Sequence, residues 1–207
     1  PLSWAMPIGA KAIMSVFHRD DNKQLSVDGI SLGAIAKQYG SPVYVYSAAG
    51  ISDSFIRFRN AVAPVNGKVY FAMKSNSAIG VLALIGKLGG GMDIVSAGEL
   101  ARAIAAGIKP GDMVFSGVGK TNDEIRQVLA CGIGQINAES QAEVAAISAI
   151  AKEMNLLAPV ALRVNVDVSP STHAKISTGE GNTKFGISTN QREAYGIYQK
   201  MAKDPHI

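Results

Sequence analysis

The residue with the clearest chemical potential is Lys74, which ends a β-prone run that starts at Val69. Ser75 and Asn76 follow it and open an apolar helical pattern, so Lys74 is predicted to lie at the C-terminal end of a strand. Chemistry gathers at this edge in α/β sheets and barrels, because the following loop leaves room for a ligand. A lysine there can form a Schiff base if its surroundings lower its pKa. On position alone, a solvated lysine that caps a strand end is the more common interpretation.

Several other kinds of chemistry find no support in the residue types. His18 and His206 have no metal-ligand spacing and no Cys/His cluster exists, so no metal site is expected. The single cysteine, Cys131, excludes an internal disulfide framework and favours a reducing, cytoplasmic compartment. The net charge of +4 comes from scattered Lys and Arg, so we expect no nucleic-acid face. No apolar run reaches the roughly 18 residues that span a membrane.

A repeating pattern of elements follows Lys74. A short apolar strand is followed by Ser or Thr, by Glu three residues later, and by an amphipathic helix. Three such pairs occur: Ser96 and Glu99, Thr121 and Glu124, and Ser140 and Glu143. Each predicts a capping box in which the glutamate reaches back to the cap residue, which assigns these residues to capping rather than catalysis. Three pairs in register with three strands indicate repeated βα units.

The fold class predicted by this repeat is α/β. Five strands are expected from Val69 onward, with 160–166 as the fifth, and 191–201 reads as a helix. A closed barrel of eight strands typically needs about 250 residues, so five units form either an open doubly wound sheet or part of a barrel. No sign of a strand-order reversal is present, which favours a partial (β/α)8 TIM-type barrel over 47–207. Residues 1–16 are interpreted as an N-terminal extension, and 43–46 as a further short strand.

Five motifs in order resemble those of the barrel-type, pyridoxal phosphate-dependent amino-acid decarboxylases. The segments are Tyr70–Asn76, Gly91–Leu100, Phe115–Lys120, Ile136–Ser140, and Arg163–Asp167 with the segments that follow it, Thr172–Gly179 and Lys184–Ile187. The last two segments resemble the diaminopimelate branch of the family more closely than the ornithine or arginine branches. The resemblance runs from about Phe17 to Ile187.

The resemblance implies pyridoxal 5'-phosphate as the cofactor and Lys74 as its Schiff-base lysine. It implies decarboxylation of meso-2,6-diaminopimelate to L-lysine and CO₂, the last step of lysine biosynthesis. Asp93 and Arg163 are expected to form an ion pair beside the cofactor that tunes the pKa of the lysine, or a purely structural pair between barrel layers. His173 is a candidate for the same pocket, or a loop histidine bonded to the backbone.

The resemblance also implies a homodimeric cytoplasmic enzyme in which 17–46 joins a β-domain. The family's later motifs are not found in these 207 residues: the ring-stacking histidine, the phosphate loop, the glutamate at the pyridine nitrogen and the partner subunit's cysteine motif. The barrel is therefore expected to be incomplete in this chain.

Three alternatives stay open at this level. One is another decarboxylase or a racemase of the same barrel group, since substrate choice depends largely on residues outside this chain. Another is a relative that binds pyridoxal phosphate without catalysis. The third is an aldolase-type barrel that uses Lys74 without a cofactor.

Overall fold

The computed structural model describes residues 16–165, 186–187 and 191–207. The chain divides into two compact units, the first ending at Phe58 and the second beginning at Arg59. Each unit is described by itself. The domain limits expected at 16 and 46 remain predictions.

The described part of the first unit contains a small antiparallel sheet and two helices. The strands of the sheet are β1 (Phe17–Arg19), β2 (Leu25–Val27) and β3 (Ile30–Ser31). The helices are α1 (Leu32–Tyr39) and the start of α2 (Ala48–Val62). The turn between β1 and β2 is closed by the Asp20 carboxylate, which accepts hydrogen bonds from the backbone amides of Asn22 and Gln24. The strand expected at 43–46 is wrong: this segment pairs with no strand in the described chain.

Strands and helices alternate through the second unit. After the end of α2 come β4 (Tyr70–Ala72), α3 (Ile79–Lys87), β5 (Gly91–Ile94), α4 (Ala97–Ala105), β6 (Met113–Phe115), α5 (Asn122–Ala130), β7 (Gln135–Ala138), α6 (Gln141–Glu153), β8 (Val160–Leu162) and α7 (Gln191–Met201). Short 3₁₀ turns lie at Ala63–Val65, Met73–Ser75 and Pro110–Asp112. The alternation confirms the predicted βα units.

The five strands form one parallel sheet in chain order, β4-β5-β6-β7-β8. Among the described strands the order does not reverse, which confirms the prediction of a partial barrel and argues against the doubly wound alternative. Connections between neighbouring parallel strands are almost always right-handed, so the helices collect on one face, and each of α3 to α6 contacts the next. Beyond β8, Val164 forms a parallel bridge with Ile187, which occupies the next position in the sheet.

The sheet has two chemically different faces. Side chains alternate along a strand, so paired residues of neighbouring parallel strands share a face. The face toward the helices is apolar, and its central members are fully buried: Met92, Ile94, Met113, Phe115, Ile136 and Ala138. The opposite face carries Asp93, Ser116, Gln135 and Asn137, with Glu139 and Arg163 directly after β7 and β8. We call this second side the polar face.

The helix starts differ in detail from the predicted capping boxes. Ser96, Thr121 and Ser140 each accept a hydrogen bond from the backbone amide of the glutamate three residues on. Only Glu124 reaches back to the cap residue itself, Thr121. The other two glutamates, Glu99 and Glu143, reach one residue further, to the amides of Val95 and Glu139. Those two glutamates therefore fix the strand end as well as the helix start.

Two glycines, one at the start of β5 and one just before β7, lie where a side chain would collide with neighbouring backbone. A Cβ at Gly91 would lie 2.6 Å from the carbonyl oxygen of Asp112, and a Cβ at Gly134 would collide with the carbonyl oxygen of Gly111. Only glycine permits this close approach of two chain segments. The spacing at the N-terminal edge of the sheet therefore depends on both glycines.

Across the ranges given above, no helix combines the length and the apolar character needed to cross a membrane.

Candidate functional site

Lys74 lies in a tight turn directly after β4. The Ser75 hydroxyl donates to the carbonyl of Ala72 at 2.7 Å, and the Asn76 amide donates to the carbonyl of Met73 at 3.0 Å. Met73 is fully buried and fixes the turn from the helix side, whereas Lys74 is exposed. Within the described residues the Lys74 amine has no hydrogen-bond or ion-pair partner. The turn therefore presents an amine without a partner at the C-terminal edge of the sheet.

Asp93 lies on the neighbouring strand and on the polar face. Its partner in the register is Ala72, two residues before Lys74. The Oδ1 atom of Asp93 is buried and accepts no hydrogen bond from any described residue. An unsatisfied buried polar atom costs about 1–3 kcal/mol, and such an atom in a native protein requires an explanation. A bound group that donates to this oxygen would supply one.

The ion pair expected between Asp93 and Arg163 is wrong. Arg163 Nη1 instead lies 2.7 Å from Oε1 of Glu139, whose side chain is 5% exposed. Two strands separate β5 from β8, a distance of roughly 14 Å at about 4.8 Å per strand spacing. Glu139 and Arg163 follow adjacent strands at equivalent positions, because Ala138 pairs with Leu162 in the register. Strand spacing therefore selects the nearer carboxylate.

A chain of hydrogen bonds crosses the polar face between β6 and β7. Gln135 Nε2 donates to Asn137 Oδ1 at 2.7 Å, and Asn137 Nδ2 donates to the Ser116 hydroxyl oxygen at 2.9 Å. Each amide is held by its neighbour, so the orientation of all three side chains is defined. The polar face is an ordered lining of donors and acceptors.

Two charged residues were not predicted as site residues, Lys120 and Glu139. Both lie within motifs that the sequence singled out, and the sequence signal that could have found them is a charged residue between a buried strand and the helix that follows it. Lys120 is almost completely buried and its ammonium makes three hydrogen bonds. Glu139 accepts from Arg163 and, through Oε2, from the amide of Gly186 at 2.9 Å.

His173, the fourth predicted site residue, lies outside the described residues. The roles predicted for Lys74, Asp93 and Arg163 stay predictions, although all three lie at the same edge of the sheet. Within the described ranges, no group of three or more His, Cys, Asp or Glu side chains is arranged to hold a metal ion.

Comparison with known proteins gives a consistent result. A family model described as "Pyridoxal-dependent decarboxylase, pyridoxal binding domain" matches residues 48–207. Among curated proteins, the diaminopimelate decarboxylase of Zymomonas mobilis is 47% identical over 189 residues, and that of Pseudomonas aeruginosa is 44% identical over 184 residues. These alignments cover 90% and 89% of this chain.

Solved structures agree with the curated relatives. The diaminopimelate decarboxylase of M. jannaschii in complex with L-lysine superposes with a TM-score of 0.84 at 31% identity, covering 93% of this chain. The Helicobacter pylori enzyme, also complexed with L-lysine, gives 0.81 at 34% identity over 85% of this chain. The chain spans about 44% of the length of each of the two curated relatives named above, and 45% and 44% of the two solved chains.

Proposed function

The chain belongs to the pyridoxal-dependent decarboxylases, and from that premise we propose that its protein converts meso-2,6-diaminopimelate into L-lysine and CO₂. The identity of 44–47% to diaminopimelate decarboxylases supports the substrate. One structural observation supports the site assignment: the Lys74 amine, just after β4, and the buried Asp93 Oδ1, on the adjacent strand β5, both lack partners among the described residues.

The residues present fit pyridoxal 5'-phosphate. The cofactor needs a lysine amine for covalent attachment, and Lys74 offers one at the strand edge. The orphaned Oδ1 of Asp93 needs a donor that no described residue supplies. Lys74, Asp93 and Arg163 would therefore hold the cofactor. When bound, it supplies the electron sink that accepts the electron pair left by departing CO₂.

The chain's own residues position groups and move protons. Lys74 Nζ donates the proton that takes the place of CO₂ at the substrate Cα. The Asp93 carboxylate, on the next strand, offers a buried acceptor oxygen to a donor group of the cofactor. Arg163, held by Glu139, supplies positive charge at the same edge. The family membership argues against an aldolase-type barrel that uses Lys74 without a cofactor.

We extend the proposal to a cytoplasmic homodimer that acts on a small amino acid. The single cysteine supports a reducing compartment. Size-exclusion chromatography with light scattering on the full-length protein tests the dimer.

The first experiment is a comparison of purified full-length protein with its Lys74→Ala variant. We expect the wild type to show the yellow absorbance of lysine-bound pyridoxal and the variant to lose that band. Lys87→Ala, an exposed lysine at the end of α3, is the matched control and should keep it. Borohydride reduction followed by peptide mass spectrometry should label the peptide that contains Lys74. A colourless wild type that takes up no pyridoxal phosphate contradicts the proposal.

Substrate choice needs a separate measurement. Release of CO₂ from meso-diaminopimelate, with L-lysine as the co-product, supports the proposed reaction. Yellow protein that releases no CO₂ from this substrate would favour a different amino acid or a non-catalytic relative.

A further inference from the structure

Lys120 is a buried lysine that lies outside the predicted site. The Lys120 side chain is 2% exposed, and removing an ammonium from water costs several kcal/mol unless it is well paired. It donates to the carbonyls of Gly117 at 2.6 Å and Asn137 at 2.8 Å, and to Oε1 of Glu143 at 2.8 Å. All three of its protons are therefore used. Its nitrogen also lies 5.4 Å from the centre of the buried Phe115 ring, within cation–π range.

The partners of Lys120 extend the contact toward Arg163. Glu143, 11% exposed, accepts from Lys120 with Oε1 and from the backbone amide of Glu139 with Oε2, at 2.7 Å. Glu139 in turn accepts from Arg163 and from the amide of Gly186. We call this series, Lys120–Glu143–Glu139–Arg163, the charged relay. It joins the ends of β6, β7 and β8.

Stability alone does not account for the charged relay. Replacing a buried ion pair with apolar side chains of similar volume is often neutral or stabilising. What charged, directional hydrogen bonds add is geometry, because each carboxylate oxygen here has a defined donor. Lys120 fixes Glu143, Glu143 fixes the backbone at Glu139, and Glu139 fixes the guanidinium of Arg163.

We propose that Lys120 and Glu139 are positioning residues that hold Arg163 at the C-terminal edge of the sheet, where the cofactor would bind. Glu139 contacts Arg163 directly, and Lys120 acts through Glu143. The inference rests on the proposed function, since it takes Arg163 to be a cofactor-binding residue. Misplacement of a binding group by about 1 Å can lower a rate on the order of 100-fold. Loss of either residue should therefore lower kcat more than it changes KM, and it should shift the cofactor spectrum.

The test uses full-length, cofactor-loaded protein and the variants Lys120→Met and Glu139→Gln. Both keep side-chain length while removing a charge. We expect kcat to fall about tenfold or more in each, with KM changed less, and the pH midpoint of the cofactor absorbance to shift. Lys120→Arg should recover part of the loss, because it restores the charge. Glu153→Gln is the control: it removes a carboxylate that pairs with Arg126 outside the charged relay, and it should leave the spectrum unchanged.

The decisive comparison repeats both variants in an Arg163→Met background. If Lys120 and Glu139 act through Arg163, their effects on kcat and on the absorbance midpoint disappear there. Full additivity of the effects would overturn the proposal, as would folded variants with unchanged spectra. If Lys120→Met does not fold, the double variant Lys120→Met/Glu143→Gln removes both buried charges together and takes its place. Glu139→Gln independently tests the contact between Glu139 and Arg163. The absorbance readout needs only bound cofactor, so a wrong substrate assignment would be seen separately as absent CO₂ release.

Discussion

At the scale of single residues, the amine of Lys74 and the buried Oδ1 of Asp93 each lack a hydrogen-bond partner among the described residues. They lie on adjacent strands, at the edge where parallel sheets bind ligands. Neighbouring residues on the same face, such as Ser116 and Asn137, satisfy each other. The contrast separates residues that complete the fold from residues that are left to bind something else.

Asp93 gives a prediction that separates binding from stability. In cofactor-free full-length protein, Asp93→Ala should leave Tm unchanged or raise it. The substitution removes a buried oxygen without a partner among the described residues, and burying such an oxygen costs about 1–3 kcal/mol. The rise in Tm on adding pyridoxal phosphate should be smaller than in the wild type, because at a given concentration a weaker ligand stabilises the fold less. Thermal unfolding with and without cofactor measures both.

The control for this prediction is Asp53→Ala, since Asp53 is a surface carboxylate paired with Arg57. This substitution should change Tm little and should leave the cofactor-induced rise in Tm unchanged. A strong fall in cofactor-free Tm for Asp93→Ala, with a normal rise on adding cofactor, would show that Asp93 is structural.

At the scale of elements, neighbouring helix starts are tied to one another. Glu124, at the start of α5, accepts from Thr121 in its own cap and from the amide of Ala97 in the first turn of α4, at 3.1 Å. Lys120, before α5, reaches Glu143 in the first turn of α6. The units that carry α4, α5 and α6 are therefore joined at the ligand-binding edge, as well as through the sheet.

The Glu124 link should be visible in the pH dependence of stability. Hydrogen bonds from the amides of Thr121 and Ala97 lower the pKa of Glu124 below its ordinary 4.5. A lowered folded-state pKa means that the carboxylate stabilises the fold above pH 4.5 and that this contribution is lost as the pH falls through the folded value. Glu124→Gln should therefore be less stable than the wild type at neutral pH, and the difference should shrink below pH 4.5.

Urea unfolding of cofactor-free protein at several pH values measures this difference. Glu153→Gln is a suitable control, because Glu153 forms a mostly exposed ion pair with Arg126 and such pairs contribute about 0–1 kcal/mol. A constant difference between wild type and Glu124→Gln at all pH values would contradict the assignment.

At the scale of the whole molecule, the sheet formed by the described strands begins at β4 and runs in chain order to β8. Backbone groups at the edge of a sheet can pair with other chains. We expect the 207-residue chain expressed alone to self-associate, and the full-length protein to form a defined oligomer. Light scattering over a range of concentrations measures this difference. A monodisperse, monomeric 207-residue chain would contradict it.

Much of this architecture could be predicted from the sequence, because local patterns determine local elements. Alternating apolar runs and the Ser/Thr–Glu pairs predicted the five strands and the starts of α4, α5 and α6. The partner of Arg163 could not be predicted, since it depends on which strand end lies one spacing away. The segment 43–46 failed as a strand for a similar reason: a β-prone run forms a strand only where a partner strand is available.

The two faces of the sheet also determine how the protein can be changed. Successive residues of a strand belong to opposite faces, so Ile94 packs against the helices while Asp93 beside it lines the polar face. A saturation-mutagenesis map of β5, β6 and β7 should therefore show a period of two: at every second position only apolar residues survive selection for folding, and the positions between are restricted mainly by selection for activity. New specificities can be sought on one set of positions without disturbing the scaffold built from the other.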